Sequence, residues 1–479
     1  MSLTLVQNTF SLTIASVGQK VIAFVYFLFL ARVMMPQQTG IYFLAVSVAM
    51  ICSVVSDFGM TPVAIREIAK KPERTKTIIR QLLAIKIPLL CLGYVSSVLL
   101  SFVLGLQTEV RSLVFLTGLV LVLDSLHLLF YGVLRGQHRL RLESMGMFVG
   151  QILTATVGGF VLLFFPSLQL LALALLCGTL FNVFLSGTNL FRQFGATVFL
   201  PIWHWSSMKP FLRAALPFAL AAIFVKVYSY VDSVLISKFL DTAAVGLYSL
   251  AYKFTYAFQF LPLAFIAALY PRFSALVEKD PDGLKKLFDR ALWYMLILAT
   301  PIVFGLSLLA DQVVLLAGDG YRAAAPVLAM LVFVLLPIFL DFPIGSLLNA
   351  SGRQSTKTAI MGLTMIVNVI LNIFLIPQIG IMGSAYAALV SFTMMFFLGL
   401  VCVPKIIHGY RFHLLLVRLL QAGFCGILLF ASGWLLRPFV QWILLIPLCG
   451  FVYLLALFLT GLVKREDVLM IKSVFDKRL

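Results

Sequence analysis

The chain has 479 residues, 62% hydrophobic and only 11% charged, where soluble domains run at about half apolar and one quarter charged. A soluble enzyme is excluded, because no globular interior of this size hides so much apolar side chain and the excess must face lipid. The formal net charge of +18 would suggest nucleic acid in a soluble chain, but in a membrane chain its meaning depends on which loops hold the cations.

Apolar runs of the length that crosses a roughly 30 Å hydrocarbon layer lie within residues 10–31, 40–62, 82–105, 112–135, 144–165, 168–191, 214–238, 244–270, 290–315, 324–348, 357–377, 382–404, 413–436 and 439–463. About fourteen transmembrane helices are therefore expected in an all-α polytopic membrane protein. The first run lacks the basic flank and small-residue cleavage site of a signal peptide and is expected to remain as the first span. Of the 36 Lys and Arg residues, 27 fall in loops on one side, from Arg66 to Arg80 through to Lys464 to Arg478. Only Arg32, Arg111, Lys238, Arg322 and Arg437 fall on the other, and Lys20, Lys86, Lys226 and Lys253 fall inside spans. Because cation-rich loops stay in the cytoplasm, both termini are expected there, and the basic balance reports topology with no nucleic-acid partner. The six cysteines all sit in apolar runs, without metal or disulfide spacing, and read as small core residues.

The chain contains a repeat. Lys20-Val21, Arg32 and Gly40 to Ala45 align with Lys226-Val227, Lys238 and Gly246 to Ala251 at a constant offset of 206, which still holds at Arg66 and Arg272. Six spans separate equivalent positions, so the halves enter the membrane in the same direction and form two six-helix lobes related by a pseudo-two-fold axis along the membrane normal. The expected domains are an N-terminal lobe over 1–191, a cytoplasmic, interfacial linker over 192–212, a C-terminal lobe over 213–405, and an appended hairpin of helices 13 and 14 with a tail over 406–479. Trp203-His204-Trp205 suits the headgroup region and predicts a half-submerged linker helix. The hairpin either packs on one lobe or builds a lipid-facing groove.

Ionisable residues at bilayer depth are costly unless they face protein or water, which makes them functional candidates. Lys20 shares a helical stripe with Thr9, Thr13 and Ser16. Its repeat mate Lys226 is followed by Ser229 or Tyr230, Ser233 and Ser237, and the eighth span carries Tyr248, Tyr252, Thr255 and Gln259 beside Lys253. Lys20, Lys226, Lys253, Tyr230 and Tyr252 are the expected lining of a cationic cavity for an anionic substrate. Asp124 with His127, Asp232 and Asp341 add titratable groups as candidate proton or sodium sites, and Asn368 and Asn372 stack one turn apart. Asp124 and Asp341 are expected nearer the cytoplasmic leaflet, and Asp57 with Arg66 at the membrane interface. Prolines at 217, 262, 301, 337 and 343 permit bending in the second lobe. No phosphate loop, His-Glu-x-x-His, cysteine pair or nucleophile elbow is present in the sequence, so transport is expected rather than catalysis, with no cofactor and no metal ligand set.

Leu30-Ala31-Arg32-Val33-Met34-Met35-Pro36, Gly40-Ile41-Tyr42, Asp57-Phe58-Gly59-Met60 and Arg66-Glu67-Ile68-Ala69 resemble the opening of Wzx-type polysaccharide transporters. These belong to the multidrug, oligosaccharidyl-lipid and polysaccharide exporter superfamily. The likeness continues at Val245-Gly246-Leu247-Tyr248 and Tyr270-Pro271-Arg272-Phe273 and departs at Met35, where the family commonly has glycine. The resemblance implies a flippase in the bacterial inner membrane. It would carry undecaprenyl-diphosphate-linked oligosaccharide to the outer leaflet for O-antigen or other surface polysaccharide by alternating access, with a polysaccharide polymerase and chain-length regulator as partners. A lipid-linked peptidoglycan precursor flippase and a cation-coupled multidrug exporter of the same superfamily are the competing readings.

Overall fold

The computed structural model describes residues 3–463, with side chains from residue 17 onward apart from those of 267 and 268. The described residues contain no strand. The helices are α1 (Leu3–Asp57), α2 (Met60–Lys70), α3 (Thr75–Val103), α4 (Thr108–Gly136), α5 (Leu140–Phe164), α6 (Leu168–Phe194), α7 (Trp205–Phe239), α8 (Thr242–Ala257) and α9 (Phe260–Leu276). They continue as α10 (Pro281–Leu308), α11 (Ala310–Val314), α12 (Ala325–Leu331), α13 (Leu335–Ala350), α14 (Gln354–Ile379), α15 (Ile381–Cys402), α16 (Phe412–Leu436) and α17 (Trp442–Leu459).

Among the described residues, 12 helical segments are long and apolar enough to cross a membrane, and 13 when Thr242–Ile266 is joined to Leu269–Leu276. The first of these, Val17–Lys70, is 54 residues long, far more than the ~20 residues one crossing needs. It breaks at Met35, whose φ of 60° and ψ of 167° are not helical, just ahead of Pro36, which has no N–H to donate. The Phe27 and Phe43 ring centroids lie 5.2 Å apart, whereas 16 residues of straight helix would separate them by about 24 Å. The chain therefore doubles back at Met35, and this one segment holds two of the fourteen expected spans.

The chain divides into two compact units. One takes the described chain up to Lys253 with Ala317–Tyr321 and Met361–Ser384; the other takes Phe254–Leu316, Arg322–Ile360 and the described chain from Ala385. In the first unit two apolar clusters lie at opposite ends of the helices. One joins Met60, Ile68, Leu82, Phe130, Leu190 and Val198. The other joins Tyr26, Leu30, Met34, Tyr42, Leu162 and Leu171. On α5 and α6 the stretches between these clusters include Gln151, Thr154, Thr179 and Asn182.

The expected linker is part strap and part helix, its residues 205–212 forming the first turns of α7. Residues 196–199 form one 3-10 turn, and α7 begins directly at Trp205. The intervening strap is pinned to α3 by Arg80, whose Nε donates to the Leu200 carbonyl at 2.7 Å and whose carbonyl accepts from the Ile202 N–H at 3.1 Å. These two bonds hold the strap against α3, while Trp203 and Trp205 stay exposed.

In the second unit α10 and α13 bury long apolar faces, including Phe288, Leu292, Met295, Phe339, Ile344 and Leu347. The α16–α17 hairpin packs on α10: Trp293 Nε1 donates to the Leu462 carbonyl at 2.8 Å and the Tyr453 hydroxyl to the Ile297 carbonyl at 3.0 Å. Large apolar side chains remain exposed on α16 and α17, with Leu420 at 67% and Leu459 at 79%, as a lipid-facing surface requires. Cys52, Cys425 and Cys449 are buried as expected, but Cys91 and Cys177 are exposed on their helices and belong to the lipid-facing side.

Candidate functional site

The first unit encloses a cavity of about 470 Å³ between its two apolar clusters, within the range of sites that take small ligands. Its polar wall consists of Gln19, Thr117, Asp124, His127, Gln151, Thr154, Thr179, Asn182 and Lys253, and its aromatic wall of Tyr26, Phe27, Tyr42 and Phe43. The Lys253 ammonium lies 5.9 Å from the Phe27 ring centroid and 5.2 Å from that of Phe43, where the ring faces stabilise a cation removed from water.

Also lining the cavity, Asp124, its side chain 46% exposed, pairs with His127 Nε2 at 3.0 Å. His127 stacks edge-on against Tyr131 at 5.5 Å, and the Tyr131 hydroxyl donates to Asn182 Oδ1 at 2.7 Å. His127 Nδ1 is buried without a hydrogen-bond partner among the described residues. Thus α4 and α6 supply a continuous polar seam facing the cavity. Farther along α4, Arg135 and the buried Glu143 form an ion pair that ties α4 to α5.

Lys226 is half-buried on α7, its ammonium 5.6 Å from the Tyr230 ring and 3.6 Å from Met50 Sδ. It also feels the Asp124 and Asp57 carboxylates. Asp57 in turn accepts from the Lys86 ammonium at 3.0 Å and from Thr61 at 2.7 Å, and Lys86 also donates to Ser125 at 2.8 Å. Two lysines and two carboxylates thus balance each other in one group, and Lys253 stands apart from it as the cavity's own cation. Lys20 is exposed and follows Gln19, which lines the cavity where Lys20 does not. The Thr9, Thr13 and Ser16 stripe lies outside the described side chains.

Asp232 is buried and is held by hydroxyl and amide groups. It accepts from the Tyr248 hydroxyl at 2.6 Å and from Asn372 Nδ2 at 3.0 Å, and Ser384 donates to Asn372 Oδ1 at 2.7 Å. Tyr252 is half-buried one turn beyond Tyr248, their rings 6.4 Å apart. Asp341 belongs to the second unit, within reach of Lys357. The structure therefore gathers Asp124 and Lys253 at the cavity, puts Lys226 with Tyr230 in the charge-balanced group, and places Asp232 in a separate network.

Sequence reasoning passed over Lys86 as a partner and missed the amide and hydroxyl wall. The signal for that wall was present: Gln151 and Thr154, and Thr179 and Asn182, each recur at three residues inside apolar spans, which places each pair on one helix face. Asp57 was expected at the membrane interface. It also anchors the fully buried Lys86, because a buried ammonium needs a counter-charge.

Ionisable and amide side chains line a cavity inside a bundle of apolar helices, where such groups mark substrate or ion pathways. Comparisons agree. Residues 5–277 match the polysaccharide biosynthesis protein family, and residues 217–374 match the MatE family. The "Probable flippase AglR" of Haloferax volcanii is 29% identical over 38% of this chain and 39% of that protein. The "Probable low-salt glycan biosynthesis flippase Agl15" of the same organism is 23% identical over 81% of each. The "Lipopolysaccharide biosynthesis protein WzxC" of Escherichia coli K12 is 27% identical over 44% of this chain and 42% of that protein. Among solved structures, the lipid II flippase MurJ in its inward closed conformation superposes with a TM-score of 0.76 at 15% identity, over 93% of this chain and 97% of that one. That likeness is one of fold alone. The family match covers more than half of the sequence, and the chain belongs to the polysaccharide biosynthesis protein family.

Proposed function

We propose that the protein is a flippase that moves an undecaprenyl-diphosphate-linked oligosaccharide from the cytoplasmic to the outer leaflet of a bacterial inner membrane, by alternating access, in surface polysaccharide or O-antigen synthesis. Both termini lie in the cytoplasm, a polysaccharide polymerase and chain-length regulator act downstream, and the lobes span 1–191 and 213–405, with a linker over 192–212 and a hairpin and tail over 406–479. The observation that carries this reading is the cavity of the first unit, which Lys253, beside the Phe27 and Phe43 rings, lines together with amides and hydroxyls. Amides and hydroxyls exchange hydrogen bonds with sugar hydroxyls, aromatic faces cover their C–H surfaces, and the lysines attract an anionic head while the polyprenyl tail stays in lipid. Lys20, Lys226 and Lys253, with Tyr230 and Tyr252, hold that head, and Asp124, Asp232 and Asp341 are the candidate proton or sodium sites for coupling.

The test is leaflet exposure of a lipid-diphosphate-linked oligosaccharide in proteoliposomes, read with a membrane-impermeant glycosidase. Protein-dependent exposure that is lost in the Lys20→Ala, Lys226→Ala double variant is expected. Full exposure with that variant would overturn the role of Lys20 and Lys226, and none with folded wild type would overturn the flippase reading. One observation favours a second reading, cation-coupled drug export: the Asp124 carboxylate on the cavity wall suits a cationic ligand. Efflux of an amphipathic cation that stops in Asp124→Asn would support it. Peptidoglycan precursor flipping is separated by essentiality, since its loss lyses cells while loss of an O-antigen flippase strips a surface polymer.

A further inference from the structure

The second unit carries two adjoining crevices that the transport reading does not use. One, of about 380 Å³ between α9 and α10, is lined by Arg272, Lys286 and Arg290 with Leu276 and Leu287. The other, of about 400 Å³ between α10 and the α16–α17 hairpin, is lined by Arg290 and Arg418 with Asp289, Gln421, Trp293 and Tyr294. Arg290 faces both.

Four cations line these crevices against one carboxylate, and that carboxylate is occupied: Asp289 hydrogen-bonds with Tyr410 as well as facing Arg418. Asp280, nearby at the start of α10, is turned onto its own helix, its Oδ1 accepting from the Gly283 N–H at 2.9 Å. Among the described residues, the hydrogen bond from the Arg418 guanidinium is a long one, 3.3 Å to the Asp289 carbonyl. Guanidinium groups match phosphate oxygens two at a time, and Trp293 and Tyr294 are the side chains that favour the headgroup level.

The second crevice also opens onto apolar surface. Leu414 and Val417 line it and are 44% and 48% exposed. From Val417 the ladder continues up α16 through Leu420, Phe424 and Ile427, at steps of three, four and three residues, all more than half exposed. A phosphate held at the arginines would thus have an apolar track of helix beside it for an acyl chain.

We propose that these crevices form a phosphate site for an anionic membrane phospholipid, clamped by Arg290 together with Arg272, Lys286 and Arg418, with its acyl chain along α16. Basic pockets between helices at the cytoplasmic surface are where such headgroups bind, and the sequence puts all four cations on the cation-rich side. The inference holds whatever substrate is translocated. The appended hairpin then has a defined task, completing one wall of a lipid site.

The test is native mass spectrometry of the purified full chain offered phosphatidylglycerol and phosphatidylcholine at equal concentration. Wild type should retain phosphatidylglycerol preferentially. Each neutralised cation, at about 1 kcal/mol, should reduce that retention about fivefold, so Arg290→Gln with Arg418→Gln should lose most of it. Arg290→Lys should keep part, and Arg139→Gln, an exposed cation outside both crevices, should keep all. If the double variant does not fold, the exposed Arg272→Gln is read in the same way. Equal retention of the two lipids by wild type, or undiminished phosphatidylglycerol in the glutamine variants, would overturn the proposal. So would retention of inorganic pyrophosphate without lipid, which would assign the arginines to a soluble anion. Because no translocation is read, failure here leaves the flippase reading standing, and failure of that reading leaves this one.

Discussion

Gly40 and Gly246, equivalent positions of the 206-residue repeat, face each other so closely that a methyl group on either would overlap backbone of the opposite segment. On Gly40 it would meet the Thr242 carbonyl, and on Gly246 the Pro36 carbonyl. Glycine is needed here for close approach, not for a special backbone angle, and repeat mates touch where two related segments cross. Gly40→Ala should force the segments apart at a cost of about 1–3 kcal/mol, the usual penalty for overpacking. Thermal melting of the purified protein in detergent checks this. An unchanged midpoint would mean that the contact is not made in the resting protein.

Met35 offers the opposite change. Its φ of 60° is a conformation that a side chain resists, and the side chain itself is 65% exposed, so it contributes little packing in return. A non-glycine residue in such a region stores about 1–3 kcal/mol of strain. Met35→Gly should therefore raise the melting midpoint, partly offset by the greater freedom of glycine in the unfolded chain. A lower midpoint would show that the turn is held by Pro36 alone.

The same position shows how far the sequence could be read. Span positions followed from apolar length, and the reversal at Met35-Pro36 was marked by a proline and by the departure from glycine, because backbone geometry imposes its own residue preferences. The site was less legible. Lys253 was found because charge at depth is expensive, but its aromatic surroundings come from Phe27 and Phe43, more than 200 residues earlier, and no local pattern joins them. Lys86 was overlooked for the same reason: its counter-charge Asp57 lies 29 positions away on another helix, and read alone it looks like a residue near a helix end. The linker was legible in part, since its residues from Trp205 onward are helical, but the Trp-His-Trp pattern cannot say that Arg80 would pin the strap ahead of them.

The Lys86 pair gives a clean cycle. Lys86 is wholly buried and Asp57 27% exposed. Lys86→Met leaves Asp57 with Thr61 as its remaining donor and should destabilise by about 3 kcal/mol, the low end of the range for breaking a buried pair. Asp57→Asn strands the ammonium and should cost a similar amount. The double variant Lys86→Met, Asp57→Asn should recover much of the loss, because two neutral groups of similar size replace two charges. Additive losses in the double variant would mean that the residues act separately.

Asp232 separates structure from coupling. Its oxygens receive the Tyr248 hydroxyl and the Asn372 amide, so Asp232→Asn keeps the shape and one acceptor but turns an N–H group toward a donor. A loss of about 1–2 kcal/mol is expected from that mismatch, and Asp232→Ala, which strands the tyrosine and the asparagine together, should cost more. If Asp232 only braces α7 against α14, transport per folded molecule should be nearly normal in Asp232→Asn once its stability loss is allowed for. If it is a proton or sodium site, gradient-stimulated exposure of the lipid-linked glycan should collapse in Asp232→Asn at temperatures well below its melting midpoint, while exposure without a gradient matches wild type. Proteoliposomes with and without an imposed ion gradient read the two outcomes side by side, and the coupling role predicts the second.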